Sequence, residues 1–269
     1  MPNPILRSAK RLLTFFVAAL ASLSCPVATV ADELSADWRF YGRDAGGSRY
    51  APFDQINRGN VDKLEVAWTF RTGDIASNGS EDQNTPLMVG DTLYACTPRN
   101  IVIAINAENG AERWRFDPKS DNWLRWRRCR GLGYHKAEAA QSSAICAERI
   151  LVGTIDARLI ALVAKSGRPC PDFGNDGTVN LLAGLGKVKP GFYFVTSPPT
   201  VARDKVIVGG WVLDNAEVGE PSGVIRAFDA TTGAFAWAWD MGRPGEHGMP
   251  PPHETFTPGT PNSWSMHSY

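Results

Sequence analysis

Apolar positions along the chain fall in short runs, and each run closes on a turn in which Asn, Ser or Thr stands beside Gly. The run from Ala104 to Trp114 reads Ala-Ile-Asn-Ala-Glu-Asn-Gly-Ala-Glu-Arg-Trp. It returns as Ala161 to Gly167, Ala-Leu-Val-Ala-Lys-Ser-Gly, and again as Ala227 to Trp237, Ala-Phe-Asp-Ala-Thr-Thr-Gly-Ala-Phe-Ala-Trp. Each copy has the grammar of a hairpin: an apolar strand, a turn whose Gly supplies positive φ, and an aromatic-rich return strand. A second hairpin precedes each copy, at Thr85 to Tyr94, Ala144 to Val152 and Ser197 to Val208. Two hairpins per repeat predict a four-stranded antiparallel sheet, and sheets repeated at this period stack around an axis as the blades of a propeller. Leu64 to Gly73 reads as the last strand of a preceding blade, with Trp68 equivalent to Trp114 and Trp237. Asp156-Ala157-Arg158, polar and central, reads as a turn between two strands of one blade.

Composition adds a compartment. The 28 Lys and Arg residues balance 28 Asp and Glu, so there is no electrostatic case for nucleic acid as a partner. The local cluster Arg125, Arg127, Arg128 and Arg130 reads as a solvated loop. Arg7, Lys10 and Arg11 precede a short apolar stretch from Leu12 to Leu20 and then small residues, which is the pattern of an export signal over residues 1–31 with a cleavage site at Thr29-Val30-Ala31. The apolar stretch is short for a bilayer core of about 30 Å, and Ser22 makes a poor lipoprotein context for Cys25. The expectation is a periplasmic protein whose residues 32–269 form the folded part. Cys96, Cys129, Cys146 and Cys170 remain there, with three possible pairings. Buried free thiols, or one bridge between neighbouring blades, is the favoured reading.

About four to eight blades are needed to close a propeller. Only about three repeats and an opening strand are present, and Ser263 to Tyr269 reads as the start of another strand. The expectation is an unfinished ring, unstable or associating alone, or a fragment of a longer protein.

Four islands break the blade grammar: Cys129 to His135, Thr196 to Pro199, Asp214-Asn215 with Glu220 to Arg226, and Thr260 to Trp264. At these islands, and at the opening Asp37-Trp38 and Tyr41-Gly42-Arg43-Asp44, the sequence resembles the pyrroloquinoline-quinone (PQQ) dependent dehydrogenases. The match is closest to the membrane-associated glucose, quinate and polyol branch, over essentially the whole mature chain. The resemblance implies an all-β, eight-bladed propeller with the flat quinone near its axis, of which this chain supplies about the first half.

PQQ is a planar tricarboxylate, so its site needs cations or donors at the rim and an aromatic platform under the ring. The resemblance puts His135 in contact with PQQ and Trp264 beneath it; Arg130 is open between pairing with a carboxylate and forming a structural ion pair. It sets Asp214 and Asn215, oxygen donors of the kind hard cations need, at a Ca²⁺ or Mg²⁺ that polarises the quinone carbonyl. Without it, Asp-Asn is an ordinary turn and Trp264 a packing residue.

The implied reaction is oxidation of a sugar or polyol hydroxyl. A carboxylate base takes the proton, hydride passes to the quinone, and electrons leave to ubiquinone or a c-type cytochrome. The aspartate base and a quinone-holding lysine are expected beyond Tyr269, so the isolated chain is expected to be inactive. No two cysteines are adjacent, which departs from the methanol and ethanol branch. A catalytic subunit docked to a small membrane subunit is as compatible with the sequence as a glucose enzyme. Two other readings stay open: a periplasmic propeller scaffold without cofactor, and an inactive truncated product.

Overall fold

The computed structural model describes residues 37–269 apart from 78, 121–125, 138–144 and 217. The expected export signal, Cys25 and Arg125 lie outside the described residues. Among the described residues the chain is all-β, with one short 3-10 turn at Val61–Lys63. The first sheet is β1 (Leu87–Val89), β2 (Thr92–Cys96), β3 (Val102–Asn106) and β4 (Glu112–Phe116). The second is β5 (Gly133–Lys136), β6 (Glu148–Gly153), β7 (Arg158–Val163) and β8 (Thr178–Asn180). A two-stranded ribbon pairs β9 (Tyr193–Phe194) with β12 (Trp211–Val212), and it flanks a third sheet of β10 (Thr200–Ala202), β11 (Lys205–Val208), β13 (Ile225–Asp229) and β14 (Phe235–Trp239). Every pairing within these sheets is antiparallel, as the repeats predict.

The repeated phrase is one turn built three times. The amides of Gly110, Gly167 and Gly233 donate to the carbonyls of Asn106, Val163 and Asp229, four residues earlier in each case. All three glycines have φ near +70°, the left-handed region that excludes most side chains. Asn106 and Asp229 cap their turns by accepting backbone N–H bonds, from Glu108 and Asn109 in one case and from Thr231 and Thr232 in the other. The ladder bulges at the same place in two copies, at Ala104/Ile105 and Ala227/Phe228.

The phrase also joins the sheets. Trp68 covers Gly110 and donates its indole N–H to Ala107 O at 3.1 Å, and Trp114 covers Gly167 and donates to Ala164 O at 2.9 Å. Trp68 is thus equivalent to Trp114, although residues 64–73 form no ladder among the described residues. The seam between the second and third sheets is different. There Val179 and the backbone of Gly174 cover Gly233, Gly174 N–H donates to Thr232 O at 2.8 Å, and the guanidinium of fully buried Arg149 reaches Thr231 O.

Three expectations need correction. The second blade opens at Gly133–Lys136, not within Ala144 to Val152, because β5 pairs with β6 across a long connection: Tyr134 and His135 are strand residues rather than part of an interruption. Arg127 and Arg128 are buried and Arg130 half-buried, so the arginine cluster is not a solvated loop. Both cysteine pairs are bonded, Cys96 to Cys129 and Cys146 to Cys170. The first ties the end of β2 to the segment entering the second sheet, and the second closes off the β6–β7 hairpin. Asp156-Ala157-Arg158 is the expected turn, with Ala157 at φ +60° and Arg158 paired to Asp156.

Candidate functional site

The segments entering β1, β5 and β10 converge. Thr85 N–H donates to Arg130 O at 2.9 Å, and Arg130 N–H to Thr196 O at 3.1 Å. Gly131 allows this approach: a Cβ there would lie 2.9 Å from the Tyr41 ring and 3.3 Å from Pro198. At this meeting point the Arg130 guanidinium donates to the hydroxyl of buried Thr196, and Ser197 Oγ donates to Gly209 O at 3.4 Å. Burial, and then the neighbouring charge of Arg128, lower the Arg130 pKa from its ordinary value. A cation held in this way is set for an anion.

Gly209 and Gly210 lead from β11 into β12, and both are required by contact. A Cβ on Gly209 would lie 2.3 Å from the side chain of Ser263, and one on Gly210 would lie 2.3 Å from the ring of Tyr193. The Pro-Asn-Ser-Trp segment lies against them: Ser263 N–H donates to Gly210 O at 3.0 Å, and Asn262 Oδ1 accepts from Val212 N–H at 2.6 Å. Trp264 is thereby placed on Trp211, with ring centroids 4.7 Å apart and planes tilted by 37°, while 45% of the residue remains exposed. Trp211 also touches Phe194, at 5.0 Å, and the guanidinium of Arg128 stands 5.1 Å from its ring centre. His267 closes the segment, with Nε2 3.0 Å from Ser263 Oγ and its backbone N–H donating to Thr200 Oγ1.

Arg130 and Trp264 are therefore joined through Thr196, Ser197, Gly209 and Ser263. Asp214 and Asn215 come after Trp211-Val212 and one intervening residue, Leu213, and both are exposed, with Asn215 at φ +55°. His135 stands apart from these contacts. It is buried at the seam of the second and third sheets, paired across the ladder with Arg149, and its Nε2 is 3.5 Å from Thr231 Oγ1. Burial, then the Arg149 charge, lower its pKa. Trp211 and Arg128 were not among the expected residues. The signal for Trp211 was the Gly209-Gly210 pair directly after an apolar strand, which marks a close backbone approach.

Half-exposed Trp264 stacked on Trp211, with buried Arg128 against Trp211 and half-buried Arg130 linked to the same segment through Thr196 and Ser197, makes an aromatic and cationic patch of the kind that binds a flat anion. Residues 38–269 match the family model described as PQQ: glucose/ethanol/alcohol dehydrogenase, β-propeller domain, and the chain belongs to that family. It is 42% identical to the quinate/shikimate dehydrogenase (quinone) of Acinetobacter baylyi, over 87% of this chain and 31% of that protein. It is 39% identical to the quinoprotein glucose dehydrogenase of Escherichia coli, over 93% of this chain and 33% of that protein. It is 40% identical to the glycerol dehydrogenase large subunit of Gluconobacter oxydans, over 87% of this chain and 32% of that protein. Among solved structures, the quinohemoprotein alcohol dehydrogenase of Comamonas testosteroni superposes with a TM-score of 0.60 at 29% identity, covering 76% of this chain and 27% of that one. The chain spans about a third of the length of the curated relatives it matches.

Proposed function

We propose that this chain forms the N-terminal part of a PQQ-dependent dehydrogenase that oxidises a hydroxyl of a sugar or polyol and passes the electrons to a quinone. The observation that carries this reading is the patch joining Arg130 to Trp264 where the leading strands converge. Its chemistry fits a planar tricarboxylate. Trp264 offers an aromatic face that is 45% exposed, and Arg130 is a half-buried cation held by the Thr196 hydroxyl. When bound, PQQ supplies the carbonyl that accepts hydride from the hydroxyl carbon.

The chain's own residues bind and orient. Trp264 would offer its exposed face to the ring system, and Arg130, fixed by Thr196, would neutralise a carboxylate of the cofactor. Asp214 and Asn215 present oxygen donors on an exposed turn, suited to Ca²⁺ or Mg²⁺. His135 enters this reading on the family resemblance alone, since its contacts are with seam residues. The aspartate base that takes the hydroxyl proton, and the remaining cofactor and metal ligands, are assigned to the part of the relatives that this chain does not span.

Residues 1–31 as an export signal and two disulfides are together consistent with an oxidising periplasm. Ubiquinone or a c-type cytochrome as acceptor, and a small membrane subunit as partner, belong to the same proposal. The test is reconstitution of the full-length protein with PQQ and Ca²⁺ or Mg²⁺, followed by dye-linked oxidation of glucose, glycerol and quinate. Turnover of at least one is expected; absence of both turnover and PQQ binding would sink the reading.

A further inference from the structure

Trp264 does not stand on the backbone of its own segment alone; one side of it rests on Trp211. Trp211 in turn is held by Phe194 at 5.0 Å and by the Arg128 guanidinium at 5.1 Å, within the range of about 6 Å at which a cation is drawn to an indole face. Arg128 is 8% exposed, and its only ion pair among the described residues is with Glu81, at 3.3 Å. A buried guanidinium paired this loosely, with its Nε unpartnered, is retained at a desolvation cost. The contact it makes with Trp211 is what the fold obtains from it. The ribbon of β9 and β12 has just two residue pairs, Trp211 with Phe194 and Val212 with Tyr193, so its ladder alone does little to fix the indole.

We propose that Trp211, braced by Arg128, is a positioning residue for Trp264. It sets the tilt and rigidity of the ring on which the cofactor lies, and touches neither the reacting carbon nor the metal. This rests on the reading of Trp264 as the cofactor platform. An aromatic ring that must be ordered on binding loses affinity to the cost of ordering it, and a stacked neighbour removes that cost beforehand. Arg128 acts one step further out, through Trp211, and its charge is not consumed by a strong ion pair.

The test measures PQQ affinity directly, by titration of the full-length apoprotein, with near-UV circular dichroism of the apoprotein as a readout free of turnover. Trp211→Leu is expected to weaken PQQ binding roughly three- to tenfold, the range of an aromatic pair. It should also reduce the near-UV signal of the coupled indoles, while Trp211→Phe restores most of the affinity. In a Trp264→Ala background, Trp211→Leu should cost nothing further. Arg128→Gln should give a smaller loss of the same kind, and it reports independently if Trp211→Leu does not fold. If Trp264→Ala weakens binding but Trp211→Leu and Arg128→Gln do not, the proposal is overturned and the platform stands. If the Trp211 and Trp264 losses multiply, the two rings act separately and the proposal also fails. If Trp264→Ala leaves affinity unchanged, the platform reading itself is wrong and takes this proposal with it.

Discussion

His135 is buried beside Arg149, and both burial and that charge favour its neutral form. The unfolded chain, in which a histidine titrates near 6.5, therefore binds more protons than the folded one. The contribution to stability is complete above that pH and is lost as pH falls below it. Burial lowers the pKa of His267 in the same direction. Chemical denaturation between pH 7.5 and 5 should show stability declining with acid, and His135→Gln should flatten part of that slope; an unchanged slope would mean that His135 is already solvated. Arg130→Ala removes a half-buried cation that holds Thr196, and should weaken PQQ binding by about tenfold or more while a lysine there recovers only part, since its single ammonium cannot make a bidentate contact. Arg130 and Trp264, which the fold links through Thr196, Ser197, Gly209 and Ser263, stood out as candidates in the sequence because they fall in short, unusual phrases. Trp211 and Arg128 did not stand out, because what marks them is contact between segments far apart in sequence: residues 128, 211 and 264 are brought together by the packing of three blades.

At the scale of the element, the turn glycines separate two costs that are usually mixed. Gly167 has φ +70° and carries the Trp114 ring where a Cβ would lie 2.4 Å away, whereas Gly90, with φ +58° in the β1–β2 turn, has nothing within 4 Å of that position. Gly90→Ala should cost only the backbone strain, about 1–2 kcal/mol. Gly167→Ala should cost about 2–5 kcal/mol, because overpacking against the indole is added. Thermal or urea unfolding would measure the difference, and equal losses would show that the indole moves aside freely. The blades were legible because a hairpin turn needs particular residues at particular places, and Asn106 and Asp229 with their glycines supply them. The opening strand of the second blade was obscured, since Gly133-Tyr134-His135-Lys136 is separated from β6 by a long connection and has no turn signal to mark its pairing.

Across the whole molecule, two disulfides span 33 and 24 residues of sequence. On loop-closure entropy each is worth about 3–4 kcal/mol relative to the reduced unfolded chain. Reduction, or Cys96→Ser with Cys129→Ser, should therefore lower the unfolding midpoint in urea substantially; an unchanged midpoint would indicate strain equal to the gain. Pairing was not legible in the sequence, since four cysteines admit three connectivities and proximity is set by the stacking of the sheets.

The three seams among the described residues are not alike. Two are closed by an indole lying on a glycine, a contact made by side chains. The third, between the second and third sheets, is closed by a main-chain hydrogen bond from Gly174 to Thr232, with Arg149 reaching Thr231 beside it. That amide proton belongs to neither sheet's ladder, so its exchange with solvent deuterium reports the opening of this contact, whether the blades part or the β7–β8 turn shifts locally. Compared with the exchange of the ladder amides on either side, it gauges how the stability of the contact between blades differs from that of the blades themselves.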